Sequence, residues 1–151
     1  MKARHFLSLA LLLIAARAGA KDWLFRDGQT DYQIVVSAEA STSEQTAARE
    51  LQQYIEQMSG VRLPITSDTA ASGRSIVVGW NQRTASLTGT QKPAADDESF
   101  TYKTVGHDLL IWGGSQRGTM YGVFTFLERE LGIHWFTPRC TYLPKYKSWQ
   151  L

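Results

Sequence analysis

The sequence predicts an α/β sandwich of the α+β kind: a mixed sheet of about five or six strands with two main amphipathic helices. Three observations carry this prediction. Runs at 32–37 (YQIVVS), 75–78 (SIVV) and 109–112 (LLIW) are short and largely apolar, the first two rich in β-branched residues, as buried strands are. Two longer segments, near 43–59 and 120–131, place apolar residues at helical intervals. Between them, 100–105 alternates like a half-exposed strand, turns at Gly106-His107-Asp108 and returns as 109–112.

Trp23-Leu24-Phe25 is followed by Asp27-Gly28, a strong turn signal, so it is expected to form a hairpin with 32–37 at the start of the sheet. Ser41 and Glu44 have the spacing of a capping box. Ala47, Leu51, Tyr54, Ile55 and Met58 then form one stripe, and Gly60 stands where a left-handed cap is wanted. Pro64 confines any strand in 61–65 to a sheet edge. Residues 67–74 read as a polar loop. Residues 81–99 are small, polar and rich in carboxylates, and read as a surface loop with a helical turn. In the second helix Met120, Val123, Phe124, Leu127 and Leu131 make the stripe, and Gly132 caps it. Residues 133–136 form a last short strand, and Pro138 ends the compact pattern. The three parts are thus 1–20, a signal peptide; 21–138, an α/β domain; and 139–151, a linker-like tail leaving that domain.

The leader rests on Lys2 and Arg4, an apolar run from Phe6 to Ala16 broken by Ser8, and the small-residue exit Ala18-Gly19-Ala20. The run is too short to span a bilayer. The chain is therefore expected to be exported, periplasmic or extracellular, cleaved after Ala20 and without a stable membrane anchor. Without Lys2, Arg4 and Arg17, thirteen basic residues face fourteen acidic ones, so the overall charge of +2 gives way to a nearly neutral mature chain. That removes the main electrostatic term for nucleic-acid binding. The lone Cys140 cannot close an internal disulfide. The histidines and the cysteine fit no zinc spacing, so neither a metal nor another cofactor is expected.

Four glycines between 113 and 122 raise the question of a phosphate cradle. Gly113 and Gly118 have P-loop spacing, but Thr119 stands where the lysine is required. Ser115 occupies the second glycine of the dinucleotide fingerprint, and Arg117 the last glycine of a nucleophile elbow. The glycines are better read as serving a sharp turn and close helix–sheet contact. Arg117, near a helix start, opposes the macrodipole and calls for a partner: a carboxylate, carbonyls or a neighbouring domain. The dense acidic group Asp96-Asp97-Glu98 reads as solvated, and no catalytic residue is assigned. Of five tryptophans, Trp112 and Trp135 lie in apolar strands, whereas Trp23, Trp80 and Trp149 are freer to face solvent. Arg117, Tyr121, Trp80 and Trp149 are the candidates for an interdomain or ligand face.

Three stretches carry a family resemblance. They are 47–55 (AARELQQYI) running to Ser59-Gly60 and Leu63-Pro64-Ile65; Ile76-Val77-Val78-Gly79; and 113–123 (GGSQRGTMYGV), continuing through Phe126-Leu127-Glu128 to Leu131-Gly132, Trp135-Phe136 and Pro138. In order and separation they resemble the N-terminal accessory domain that precedes the catalytic barrel of alpha-glucuronidases, and more loosely the equivalent domain of beta-hexosaminidases. The resemblance implies a small α/β domain in a secreted carbohydrate-active protein, with the catalytic carboxylates on a following barrel of roughly 250 residues. No position here matches those carboxylates. The expected function is a non-catalytic accessory domain of a glycoside-hydrolase-like protein, with a downstream catalytic barrel as partner. Two alternatives are a stand-alone carbohydrate-binding module and a phosphate- or nucleotide-binding domain.

Overall fold

Ser41 opens the first helix as its spacing predicts. Its hydroxyl accepts from Glu44 N at 3.1 Å, while the Glu44 carboxylate accepts from Ser41 N at 2.9 Å, closing the capping box around α1 (Thr42–Ser59). Gly60 ends the helix with φ 75°, a conformation costly for any residue with a Cβ. The computed structural model describes residues 22–151, so the expected leader lies outside the described residues.

The main sheet has five strands in the order β3 (Ile65–Ser67), β2 (Tyr32–Val36), β4 (Arg74–Val78), β6 (Asp108–Gly113) and β5 (Phe100–Val105). β2, β3, β4 and β6 are parallel, and β5 alone runs antiparallel, paired with β6 as expected. Pairing in register sorts the side chains into two rows. Ile34, Ile76 and Leu109 align on one face, and Val35, Val77 and Leu110 on the other. The first row joins the large core under α1 and α3 (Gly118–Arg129), with Leu51, Ile55, Phe126 and Leu127 fully or almost fully buried. Each such side chain contributes about 1.5–3 kcal/mol. The second row forms a smaller cluster with Trp112, against which Ala71, Trp80 and Val105 pack.

Several polar groups inside this frame are paired, whereas the buried Asn81 Nδ2 has no partner among the described residues. Asp108 accepts from Ser75 N at 2.9 Å and from Arg83 at 3.0 and 2.8 Å, and Gln52 donates to the Leu63 carbonyl at 2.6 Å. Tyr32 is 2% exposed and donates to the His107 carbonyl at 2.8 Å. Burial, reinforced by the Asp22 and Asp108 charges and opposed by Arg74, raises its phenol from 10.0 to about 12. A raised value means the neutral form is favoured in the fold. That contribution is complete below pH ~10 and is lost as pH rises towards ~12. Stability measured by denaturant between these limits is expected to fall with pH. Tyr32→Phe should flatten the decline and lower stability at neutral pH by about 1 kcal/mol for the lost hydrogen bond.

Four elements differ from the sequence reading. Residues 23–25 do not form a hairpin with 32–37. Asp27 (φ 49°) and Gly28 (φ 81°) make the expected tight turn, but only the Arg26–Gln29 bridge follows it. β1 (Trp23–Arg26) instead pairs antiparallel with β9 (Ser148–Gln150), because β2 is claimed on both sides by β3 and β4. The region 139–151 is therefore not a non-periodic linker. Pro138 and Arg139 form the turn joining β7 (His134–Thr137) to β8 (Cys140–Tyr142). The chain then returns across the core, placing Leu143, Tyr146, Trp149 and Leu151 against it. The edge strand expected in 61–65 begins only at Ile65, after Pro64. Within 81–99 lies a helix, α2 (Gln82–Thr88), capped by the Asn81 side chain.

Candidate interdomain face

The glycine turn after β6 is filled by backbone. A Cβ on Gly113 would lie 2.3 Å from the Ser99 carbonyl oxygen, one on Gly114 2.1 Å from that of Asp97, and one on Gly118 2.5 Å from Ser99 O. The space a phosphate would need holds carbonyl oxygens, which repel an anion. Gly113 N is taken by the Thr119 hydroxyl at 3.1 Å, and Gln116 N by the Ala95 carbonyl at 2.9 Å. The glycines thus serve close approach between 94–99 and the start of α3. In open α/β sheets ligands collect at the strand C-termini where the strand order reverses, here between β2 and β4. That place is closed as well. A Cβ on Gly79 would lie 2.6 Å from Glu44 Oε1, and Ser41 Oγ donates to the Ser115 carbonyl at 2.6 Å.

Arg117 stands at the N-cap position of α3 with no side-chain cap bond, and finds its partner in Glu98 at 3.1 Å. Tyr121, one turn on, is 40% exposed. Phe100 packs against the next residue, Gly122, where an added Cβ would stand 3.2 Å from Phe100 Cβ. Arg117 and Tyr121 therefore share the outer side of α3. Trp80 does not join them. It is half-buried on the reverse face of the sheet, and its indole donates to the Thr90 carbonyl at 3.3 Å. Trp149 is half-buried in β9, edge-on to Phe126 with ring centres 6.0 Å apart.

The same side of α3 continues onto the β7–β8 hairpin. Glu128, seven residues beyond Tyr121, shares its stripe and lies 3.9 Å from His134. Trp135 points inward, bonding the Tyr54 hydroxyl at 2.8 Å and meeting the Phe124 ring edge-on. Its neighbours point outward. Phe136 is 67% and Tyr142 55% exposed, the two most exposed large apolar side chains among the described residues. Both rings lie near His134, with centres 6.1 and 6.2 Å away. The sequence carries little signal for this face: Trp135 and Phe136 are both apolar, so nothing in the strand read at 133–136 marks which of them faces out, and the strand that pairs with it falls in what reads as tail.

The sequence pattern described as "Glycosyl hydrolase family 67 N-terminus" matches residues 26–126. The chain belongs to this family. A probable alpha-glucuronidase A of Neosartorya fischeri is 29% identical over 97 residues, covering 63% of this chain and 12% of that protein. A probable alpha-glucuronidase A of Aspergillus fumigatus is 28% identical over 97 residues, with the same coverage. A solved family GH115 4-O-methyl-alpha-glucuronidase with specificity for decorated arabinogalactans shares the fold at TM-score 0.55 and 17% identity, over 82% of this chain and 17% of that one. The family 67 N-terminal domain described here thus spans about an eighth of the length of the curated relatives it matches.

Proposed function

We propose that the chain acts as a non-catalytic N-terminal accessory domain of an exported glycoside-hydrolase-like protein, packing its α3–hairpin side against a catalytic barrel. The exposed aromatic face of the hairpin carries this reading. An apolar patch continuous with a helix stripe favours a protein partner, and the matched segment makes up only about an eighth of the curated relatives' length. The acidic groups support a non-catalytic role. Glycoside hydrolysis needs a protonated carboxyl opposite an ionised one. Here Glu98 is ion-paired with Arg117, and the Ser99 backbone N–H holds Asp97 below the usual carboxylate range, away from service as an acid.

Two measurements test the proposal. Purified 22–151 is expected to hydrolyse no aryl glycoside; turnover abolished by changing one of its own carboxylates would overturn the non-catalytic role. The domain is also expected to bind saturably, in calorimetry, to the part of the Neosartorya fischeri relative that follows its matching segment. Phe136→Ser with Tyr142→Ser should weaken that binding by ~10-fold or more, as expected for central aromatic anchors. Absence of binding, or binding indifferent to the pair, would refute docking through this face.

A further inference from the structure

A sheet edge carries unpaired backbone groups, and native folds blunt it with a short strand, a proline, a bulge or a cover. At one edge of the main sheet β3 follows this rule, with three residues behind Pro64. At the other edge β5 does not. It has six residues, no proline and an unbroken register along β6, and four of the six are exposed.

The register shows which of its groups are free. Ile111 turns its carbonyl to Gly79 N, at 2.9 Å, on the β4 side. Its neighbours Leu110 and Trp112 therefore turn their backbone groups to β5, opposite Lys103 and Thr101. The N–H and C=O groups of Phe100, Tyr102 and Thr104 point the other way, and none has a hydrogen-bond partner among the described residues. They line one edge with alternate donors and acceptors, at the spacing of a strand.

The two faces beside this edge differ. On the α3 face, Tyr102 and Thr104 border a groove of about 230 Å³, lined also by Phe126, Trp149 and Leu151. Phe126 is buried and meets the Tyr102 ring edge-on, while Trp149 and Leu151 are half-buried. Glu130 lines the same groove, and its carboxylate is already bonded by the Tyr102 hydroxyl at 2.9 Å. The reverse face carries Lys103, the one charged residue of β5. Its ammonium lies 5.9 Å from the centre of the Trp112 ring, and no carboxylate among the described residues pairs with it. This cation disfavours a second copy of the chain as occupant. In a two-fold pairing centred on the middle of the strand, the two lysines would stand opposite or diagonal to each other. It favours a strand that brings a carboxylate.

We propose that the β5 edge takes up an extended, acidic peptide segment as a sixth strand of the main sheet. The backbone of the segment pairs with Phe100, Tyr102 and Thr104, its apolar side chains lie in the groove by Trp149, and its carboxylates flank Lys103. The edge shares no residue with the β7–β8 hairpin, so the proposal stands independently of docking through that face. The probe is the end-blocked peptide Thr-Val-Glu-Val-Glu-Val-Thr, which places valine and glutamate on opposite faces. Added to nitrogen-labelled protein, it should shift the amide signals of 100–104 saturably below ~5 mM and slow their hydrogen exchange. Replacing its glutamates by lysine should weaken binding by ~3-fold or more, and Lys103→Glu should reverse that preference. Two further peptides carry backbone N-methyl groups, one on the valines and one on the glutamates. Only alternate N–H groups of an added strand face β5, so one of these peptides should lose binding and the other keep it. Thr104→Pro, a change an edge strand tolerates, should abolish the shifts and leave the thermal transition in place. No saturable shift, equal binding by the two methylated peptides, or no preference for glutamate over lysine would each overturn the proposal. So would shifts at 100–104 that follow protein concentration without peptide, which would give the edge to a second copy. Phe136→Ser with Tyr142→Ser should leave peptide binding intact, so failure of the edge and failure of docking remain separable.

Discussion

Gly114→Ala is expected to cost about 3 kcal/mol or more and to leave most of the protein insoluble. The added methyl would stand 2.1 Å from Asp97 O and 2.6 Å from Ala94 O, both main-chain atoms with no rotamer to escape into. Relief requires lifting 94–99 from the start of α3. That would break the Gln116–Ala95 hydrogen bond and open the burial of Gly113 and Gly118. Overpacking alone typically costs 1 to roughly 3 kcal/mol, and displacement of backbone adds to it. Gly89→Ala is the matched control. Its φ is +68° but nothing lies within 4 Å, so only the left-handed strain of about 1 kcal/mol applies. Denaturant midpoints of the two variants compare the effects directly. Equal, small losses would mean that the glycines at 113–118 serve conformation alone, and would reopen the turn as a ligand site.

Truncation after Tyr142 is expected to abolish cooperative unfolding. The deletion removes β9 and four side chains, Leu143, Tyr146, Trp149 and Leu151, that pack against the core. It also uncovers Leu24 and Phe25, both 0% exposed in the intact fold. At about 1 kcal/mol for each half-buried side chain and more for the two in β1, the loss exceeds ~5 kcal/mol. That is comparable to the whole stability of a domain this size, about 5–15 kcal/mol. Calorimetry should show no sharp transition for the truncated chain. A transition within a few degrees of the full-length one would mean that the last nine residues add nothing to the fold.

These two results bear on what a single sequence can disclose. α1 was legible from end to end because its signals are local: Ser41 and Glu44 three apart, the stripe behind them, and Gly60 at the exit. The β5–β6 hairpin was legible for the same reason. The glycine turn was read correctly as packing because three ligand templates each failed at a named residue. β9 was not legible. Ser148-Trp149-Gln150 is too short for its alternation to stand out, and its partners lie at the other end of the chain. A non-local pairing of that kind leaves almost no trace in composition. α2 shows in the sequence only as a helical turn within 81–99, because of its seven residues only Thr84 is buried and no stripe forms. The candidate face was half legible. Arg117 and Tyr121 share the outer side of α3, whereas Trp80 and Trp149 are occupied elsewhere. Phe136 and Tyr142 carry no mark in the sequence because the β7–β8 pairing depends on a turn at Pro138 that reads as an ending.

The β1–β9 ribbon brings Leu151 N to within 2.9 Å of the Asp22 carbonyl. Tension applied to those two points would load the ribbon in unzipping geometry, breaking its bonds one after another instead of all at once. The first mechanical event would peel away Trp149 and the segment that fixes the Asp27 turn, while the five-stranded sheet stayed whole. The domain would then carry a weak seam between its first and last strands, one that opens before the core feels the strain.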